Sequence, residues 1–475
     1  VFDPATAITK PQNRYTIQGL YLLVALLTIR FFDGTGDAGD SIQHYLFAHY
    51  APAQPLLYFD HWGKPVFTLL ASAFAWAGFT GIKVFNVLVA AATIWLMEPV
   101  GRLLGLKTPL VGMIALIFTP LYFVLTFSGL TEPLFAFWLL ASIYLILTGK
   151  PMASAALISF LPFIRSEGLI ILGVFAIYLL WKKQWKAVPL LAAGHLIYAI
   201  AGFFVFHDLL WVLTKIPYSH LSSIYGHGNL LHFVDQLFYV IGAPIYVLLV
   251  VGIIAIILGK KAGNAIGVEE KVLVLGSFLC FFIAHTLFWY LGIFNSMGLN
   301  RVLIGVAPLM ALLANRGFET ITGLAFFQNK LTAAKTTTIA LLLAIVIFPL
   351  VSQTAGINWK KDMQLSEEQR EAQVVVDVVR QLKPEQKQRY CFAHPYLSEL
   401  LDINYFDPNI RLDLTHSNLA ELKSGDLVIW ENWFAVVENN VTEDDLTKIK
   451  GLKAVWFGQK RAGGRDIRYV VYEMP

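Results

Sequence analysis

Long apolar runs, separated by short polar connections, occupy the first three-quarters of the chain. A run needs about 17–25 residues to cross ~30 Å of hydrocarbon, fewer where neighbouring helices shield it. The pattern predicts eleven spans, near 15–32, 82–97, 109–127, 131–148, 152–164, 167–181, 187–206, 233–258, 272–292, 301–314 and 336–352. The run 65–79 is ambiguous, because Lys64-Pro65 opens it and Gly78 closes it after few residues. Past Ser352 the pattern changes. Residues 366–383 read as an amphipathic helix with Ser366 as N-cap and Pro384 as a stop. Strand-like runs follow at Arg389–Ala393, Asp426–Trp430, Ala454–Gly458 and Arg468–Glu473. The expected fold class is mainly α: a polytopic helical bundle over 1–354, with a first outer loop at 33–81. A small soluble α/β domain is expected over 355–475.

Charge orients this bundle. Lys10/Arg14, Arg102/Lys107, Lys150, Lys182/Lys183/Lys186, Lys260/Lys261/Lys271 and Arg316/Lys330/Lys335 fall on one side only if 65–79 lies along the outer surface. By the positive-inside rule that side is cytoplasmic. The amino terminus is then inside and the carboxyl tail outside. A bacterial inner membrane with a periplasmic tail is the expected setting; an endoplasmic reticulum membrane with a lumenal tail has the same topology.

Composition agrees. Of 475 residues 57% are hydrophobic and 14% charged, against about 25% charged in soluble chains. A soluble enzyme, a disordered protein and a nucleic-acid binder are excluded. Residues 1–354 carry 20 Lys/Arg and 13 Asp/Glu, and 355–475 carry 16 and 19, so the tail is built for water. The first apolar run follows a polar stretch and lacks a small-residue cleavage site, so no cleavable signal peptide is expected. Two cysteines, Cys280 and Cys391, make neither a disulfide framework nor a zinc site.

On this topology Asp33, Asp37, Asp40, Asp60, Glu132, Glu167, Asp208 and Asp235 gather at the outer face. Acids collect where bases are kept out, but acids embedded at span ends are costly and point to function. Asp40 opens an amphipathic surface pattern through Ile42, Tyr45, Leu46 and His49. A carboxylate there can take a proton from an acceptor hydroxyl while facing a lipid-borne donor; each Asp would equally serve as a helix N-cap. Lys64, Arg165 and Arg301 also reach the outer headgroup level, where cations can hold a phosphate. Arg165 could instead form an ion pair with Glu167 or Glu132. His207, His220, His227 and His232 share the outer loop 207–232, but their spacings of 13, 7 and 5 match no metal motif. His44 and His61 are plausible neighbours of Asp40.

An Asp soon after the first span, a surface helix with Tyr and an aromatic loop ending Lys64-Pro65 together resemble the GT-C superfamily. These are integral-membrane glycosyltransferases that use polyprenyl-phosphate sugars. The resemblance implies a catalytic acid in the first outer loop, Asp40, with Asp37 its nearest rival. Phe59-Asp60-His61-Trp62-Gly63-Lys64-Pro65 is similar to the acid-Lys-Pro element of lipid A aminoarabinose transferases, which implies a phosphate role for Lys64. The inserted Trp62-Gly63 leaves the role of Asp60 open. Ser128-Gly129-Leu130-Thr131-Glu132-Pro133 resembles an acid-bearing outer turn of the superfamily. Phe163-Ile164-Arg165-Ser166-Glu167-Gly168 is similar to a motif of lipid-linked mannosyltransferases and leans toward a mannose-type donor. Gly298-Leu299-Asn300-Arg301 resembles the late element whose Arg contacts the donor.

The expected function is therefore a hexosyltransferase-type glycosyltransferase. Asp40 or Asp37 would be catalytic, Lys64, Arg165 and Arg301 would hold the donor phosphate, and Asp60, His61, Glu132 and Glu167 would support them. No metal or other cofactor is required, since fixed cations can neutralise the leaving phosphate. The expected partners are the bilayer, a polyprenyl-phosphate sugar and a protein, glycolipid or polysaccharide acceptor, with residues 355–475 selecting the acceptor or a protein partner. Two alternatives remain open: a transporter or flippase of lipid-linked sugars, and a non-catalytic subunit of a larger complex.

Overall fold

The computed structural model describes residue 10 and residues 12–216, 222–259, 266–324, 331–382 and 389–475. His220, Lys260, Lys261, Lys330, Lys383 and Pro384 lie outside the described residues.

The chain is mainly helical, and proline sets many of its helix starts. Pro65, Pro109, Pro120, Pro151 and Pro308 each stand at the first or second helical position, where the missing N–H costs nothing. Five helices are long and apolar enough to cross a membrane, among the described residues: Gly78–Leu103, Val188–Phe206, Glu270–Leu291, Asn300–Thr322 and Thr332–Val351. Shorter apolar helices include Pro65–Ala75, Glu132–Leu147, Gly168–Trp181 and Ala243–Ile257.

Two expected spans are not continuous. The run 109–127 is two helices, Pro109–Ile117 and Pro120–Leu125, because Pro120 lacks the N–H that would continue the first. The run 233–258 breaks at Gly242, whose φ of 75° separates His232–Ile241 from Ala243–Ile257.

At the centre lies Ala307–Thr322, buried on nearly every side. It crosses Ala243–Ile257 with the two backbones almost touching. A Cβ on Gly252 would stand 1.9 Å from the Leu313 carbonyl oxygen, and one on Gly317 1.9 Å from that of Leu248. Small residues at such crossings let helices pack in lipid, where no hydrophobic force joins them.

The carboxyl region forms a five-stranded sheet in the order β2-β1-β3-β5-β4, with β1 Tyr390–Phe392, β2 Arg411–Leu412, β3 Leu427–Glu431, β4 Lys453–Ala462 and β5 Arg465–Glu473. Strand β1 runs parallel to β2 and β3; β5 is antiparallel to β3 and β4. The short β2 escapes the sequence pattern. Helix Glu367–Leu382 buries Ala372, Val375, Val376 and Val379, the spacing of one helical face. Ser366 caps it as expected: Gln369 N–H donates to Ser366 Oγ at 3.2 Å, and Ser366 N–H to Gln369 Oε1 at 3.1 Å.

This region is tied to the first outer loop. Gly34 N–H donates to the Met363 carbonyl at 2.9 Å, Gln369 Nε2 to Thr35 Oγ1 at 2.9 Å, and Tyr50 Oη to the Ile403 carbonyl at 3.0 Å. Phe47 and Phe406 rings lie 4.6 Å apart.

Candidate active site

Residues far apart in sequence meet where the first outer loop abuts the bundle. Asp40 begins helix Asp40–Tyr50, and His44 follows one turn later on the same face. Asp60 Oδ1 accepts from Gly63 N–H at 2.9 Å and closes a turn that presents Lys64. Lys64 has a φ of 61° immediately before Pro65, a conformation costly for a residue in that position and sustained by its surroundings. Arg165 lies between Leu161–Phe163 and Gly168–Trp181, and Arg301 in the 3₁₀ turn Asn300–Val306.

The charges interlock. Arg301 donates to Asp37 Oδ2 at 3.1 Å and also to Asp40. Its Nε is 3.9 Å from Glu132 Oε1. Arg165 pairs with the same Glu132 oxygen at 2.8 Å and with Glu167 at 2.9 Å. The choice left open by the sequence has a simple outcome: Arg165 pairs with both acids. Glu132, fully buried, is the hinge between the two guanidinium groups.

Asp40, His44, Trp62, Lys64, Arg165, Glu167, His285 and Arg301 line a cavity of about 480 Å³. Apart from Ser166, Asn295 and Ser296 its further walls are apolar, among them Leu213, Phe288 and Phe294, so it joins a cationic end to a surface suited to a hydrocarbon chain. Burial lowers the Lys64 ammonium to about 8, against the pull of Glu167. Burial likewise lowers His44 to about 3, so its imidazole is neutral beside Asp40. Burial alone would raise the Asp40 carboxyl, but the Arg301 guanidinium, with Arg165 behind it, outweighs it and holds it below the ordinary range.

Asp60 and His61 stand behind this wall. Asp60 shapes the Lys64 turn, and His61 packs on Trp211 with centroids 4.9 Å apart. Asp37 faces a different cavity. His285 escaped the sequence reading; its Nε2 lies 3.9 Å from Glu167 Oε1. A lone histidine inside the apolar run 272–292 was the available signal. His207 ends helix Ala193–Phe206, and His232 Nε2 hydrogen-bonds with the Gly298 carbonyl at 2.8 Å. Among the described residues no group of three or more His, Cys, Asp or Glu could hold a metal ion.

No family model and no curated protein matches the chain. Solved structures do. ArnT from Cupriavidus metallidurans bound to undecaprenyl phosphate superposes with a TM-score of 0.59 at 10% identity, covering 96% of this chain and 98% of that one. The apo state of the same protein matches with a TM-score of 0.59 at 11% identity and covers 98% of both chains. The chain has the ArnT fold. The match covers nearly the whole chain, bundle and carboxyl region alike. At this identity the ArnT likeness speaks for the fold and leaves the sugar unassigned.

Proposed function

We propose that the protein is an integral-membrane glycosyltransferase that moves a sugar from a polyprenyl-phosphate donor to an acceptor hydroxyl on the extracytoplasmic face. The observation that carries this reading is the cavity in which Lys64, Arg165 and Arg301 converge beside Asp40 on an ArnT fold. The neighbour's bound undecaprenyl phosphate supports a lipid-linked donor. A transporter would favour charges near the bilayer midplane; here they cluster where the outer loop meets the helices.

Along the cavity wall two carboxylates, Asp40 and Glu167, face the three cations, while Asp37 and Glu132 pair with the arginines from outside it. Asp40 is the most exposed of them, its side chain 45% accessible against 0% for Glu132. An arriving phosphate competes with it for Arg301. Released from that guanidinium, Asp40 becomes a stronger base at the moment the donor is in place. It takes the acceptor O–H proton; the acceptor oxygen bonds to the anomeric carbon as the bond to the phosphate oxygen breaks. The electron pair leaves with the phosphate, where the three cations meet the growing charge. A single displacement inverts the anomeric centre. The residues supply this neutralisation without a metal.

Purified protein supplied with labelled polyprenyl-phosphate sugar and a membrane-lipid acceptor extract should release polyprenyl phosphate and label the acceptor. Asp40→Asn should lose this activity and keep donor binding. Loss with Asp37→Asn but not Asp40→Asn would move the base to Asp37. Absence of polyprenyl phosphate release by the wild type would favour the transporter or subunit reading.

A further inference from the structure

When an arriving phosphate draws Arg301 away, Asp40 loses the guanidinium that holds its carboxylate. What then aims the base is the backbone beneath it, and that backbone is weakly determined by its own helix. Asp40 is the first helical residue, in the turn whose N–H groups have no intrahelical partner. It follows Gly39, and glycine has the least restrained backbone of any residue. A general base has to meet its hydroxyl within hydrogen-bond reach, and small misplacements are costly. Contacts from outside the helix therefore set its start.

Two such contacts are local. Ser41 Oγ donates to the Thr35 carbonyl and accepts from Gly129 N–H, both at 2.6 Å. Asp37 Oδ1 accepts from Gly39 N–H at 2.7 Å, but the other Asp37 oxygen is bound to Arg301. A phosphate that moves Arg301 disturbs that contact as well. A third restraint does not depend on Arg301 and comes from the carboxyl region. A Cβ on Gly39 would stand 2.8 Å from two atoms of the Phe434 ring, so the ring lies against the glycine backbone itself. The same ring packs on the fully buried His394, with centroids 4.5 Å apart. His394 Nε2 in turn lies 3.7 Å from Oε1 of Glu368, which lines the cavity that Asp37 faces.

Phe434 is itself held at both ends of a short turn, Phe434–Glu438. Asn439 N–H donates five residues back, to the Phe434 carbonyl at 3.1 Å, the wide spacing of a π-turn and a form frequent at functional sites. Glu431, the last residue of β3, is 2% exposed and pairs with no cation among the described residues. A buried acid without a counter-charge is expensive. This one grips the backbone on both sides of Phe434: it accepts from Trp433 N–H at 2.6 Å and from Ala435 N–H at 2.8 Å, one oxygen to each. At the far end Glu438 accepts from Tyr225 Oη, 2.8 Å from each oxygen. Two residues before Tyr225, Ser223 Oγ donates to the carbonyl of Ser296, which lines the donor cavity. The turn thus runs from the residue before Asp40 to a loop bound to another part of that cavity's wall.

We propose that Phe434 is a positioning residue of the site: fixed in its turn by Glu431, it bears on Gly39 and keeps Asp40 aimed once the donor phosphate has drawn Arg301 away. This deepens the glycosyltransferase reading and rests on it for the reaction, whereas the mechanical coupling of Phe434 to the start of the Asp40 helix does not. Phe434 touches no reacting atom in this scheme. The carboxyl region then serves the chemical step through geometry, by supplying the ring that the flexible glycine lacks.

The test exchanges bulk across the contact. Gly39→Ala adds a methyl against the ring, and Phe434→Leu removes ring volume from the same place. Each alone should lower kcat for sugar transfer about tenfold, while the donor KM and the melting shift given by undecaprenyl phosphate stay as in wild type. The double variant Gly39→Ala/Phe434→Leu should recover most of the lost kcat. Hydrogen exchange of the full chain in nanodiscs supplies a readout free of the reaction. With undecaprenyl phosphate bound, the Gly39, Ser41 and Gln43 amides should exchange faster in Phe434→Leu and regain protection in the double variant. Phe434→Leu alone decides the matter where Gly39→Ala does not fold. Losses of donor affinity and melting shift in step with kcat would mark a merely structural contact and overturn the proposal. Unchanged kcat and exchange in the single variants, or a double variant no better than the worse single one, would overturn it too. Faster exchange with rescue, in a protein that transfers no sugar, would contradict the glycosyltransferase reading and leave the coupling standing.

Discussion

Two buried charge clusters lie toward opposite ends of the helical stretch Asn300–Thr322, one gripped tightly between helices and the other lining a cavity. Near the far end of helix Ala307–Thr322, Arg316 grips Glu270 through two bonds of 2.9 and 2.8 Å, and Glu319 accepts from Thr108 N–H at 2.7 Å. The Arg316 and Glu270 side chains are 4% and 3% accessible. At the near end, Arg301 shares itself among Asp37, Asp40 and Glu132 and stays 15% accessible beside a cavity. Burial and ion pairing are common to both. The difference is that the Arg316 pair is closed on itself, while Arg301 has carboxylate partners that a ligand phosphate can replace. Closed pairs hold helices together; exchangeable ones can bind and release.

The largest effect expected from this contrast is on turnover. Arg301→Ala should slow sugar transfer by about 10²–10³, the scale of losing one donor to transition-state charge. Arg316→Ala in the same assay should leave turnover per folded molecule within a few-fold of wild type. A comparable loss in both would merge the two clusters into one function.

Stability should show the reverse order. Removing one partner from a closed buried pair costs about 3–5 kcal/mol, so Arg316→Ala should lower the melting temperature more than Arg301→Ala, whose partners Asp37 and Asp40 are partly solvated and whose third acid, Glu132, keeps Arg165. Differential scanning fluorimetry in detergent reads this directly.

Smaller is the effect of pH on undecaprenyl phosphate affinity. Protonated Lys64 favours phosphate, and phosphate in turn raises the Lys64 pKa above about 8. Affinity should be full below pH 8 and then fall by up to about tenfold per unit as pH rises. Lys64→Gln should bind more weakly and flatten the profile; an unchanged profile would remove Lys64 from the phosphate.

A further effect, read in stability alone, concerns docking of the carboxyl region. A Cβ on Gly39 would lie 2.8 Å from the Phe434 ring, so Gly39→Ala should destabilise by about 1–3 kcal/mol. Phe434→Ala on the same background should recover part of that loss.

What the sequence disclosed follows the range of the forces involved. Apolar periodicity is local, so the bundle, the Ser366 cap and four of five strands were legible. The breaks at Pro120 and Gly242 were written in the sequence, but continuous apolar character masked them. Seven charged residues singled out in the sequence, Asp37, Asp40, Lys64, Arg165, Arg301, Glu132 and Glu167, do gather in one place, as ionisable groups near lipid that need a reason. Their partners were not legible: Arg301 meets Asp37 and Asp40 across 264 and 261 positions, and it shares Glu132 with Arg165. For the same reason nothing local announced that Glu368 would face the cavity of Asp37. Asp60 illustrates the converse, an acid in a suggestive motif whose carboxylate shapes a turn.

The most direct test of the central claim is the stabilisation conferred by undecaprenyl phosphate on three proteins: wild type, Arg301→Ala and Arg316→Ala. A ligand that binds only the folded state at 100 times its Kd adds about 2.7 kcal/mol. Reading the ligand-induced increment cancels any difference in starting stability. The account predicts a clear upward shift in melting temperature for wild type and Arg316→Ala, and little or none for Arg301→Ala. Equal shifts in all three proteins would contradict it, and would make the Arg301 cluster a structural ion-pair network like that of Arg316.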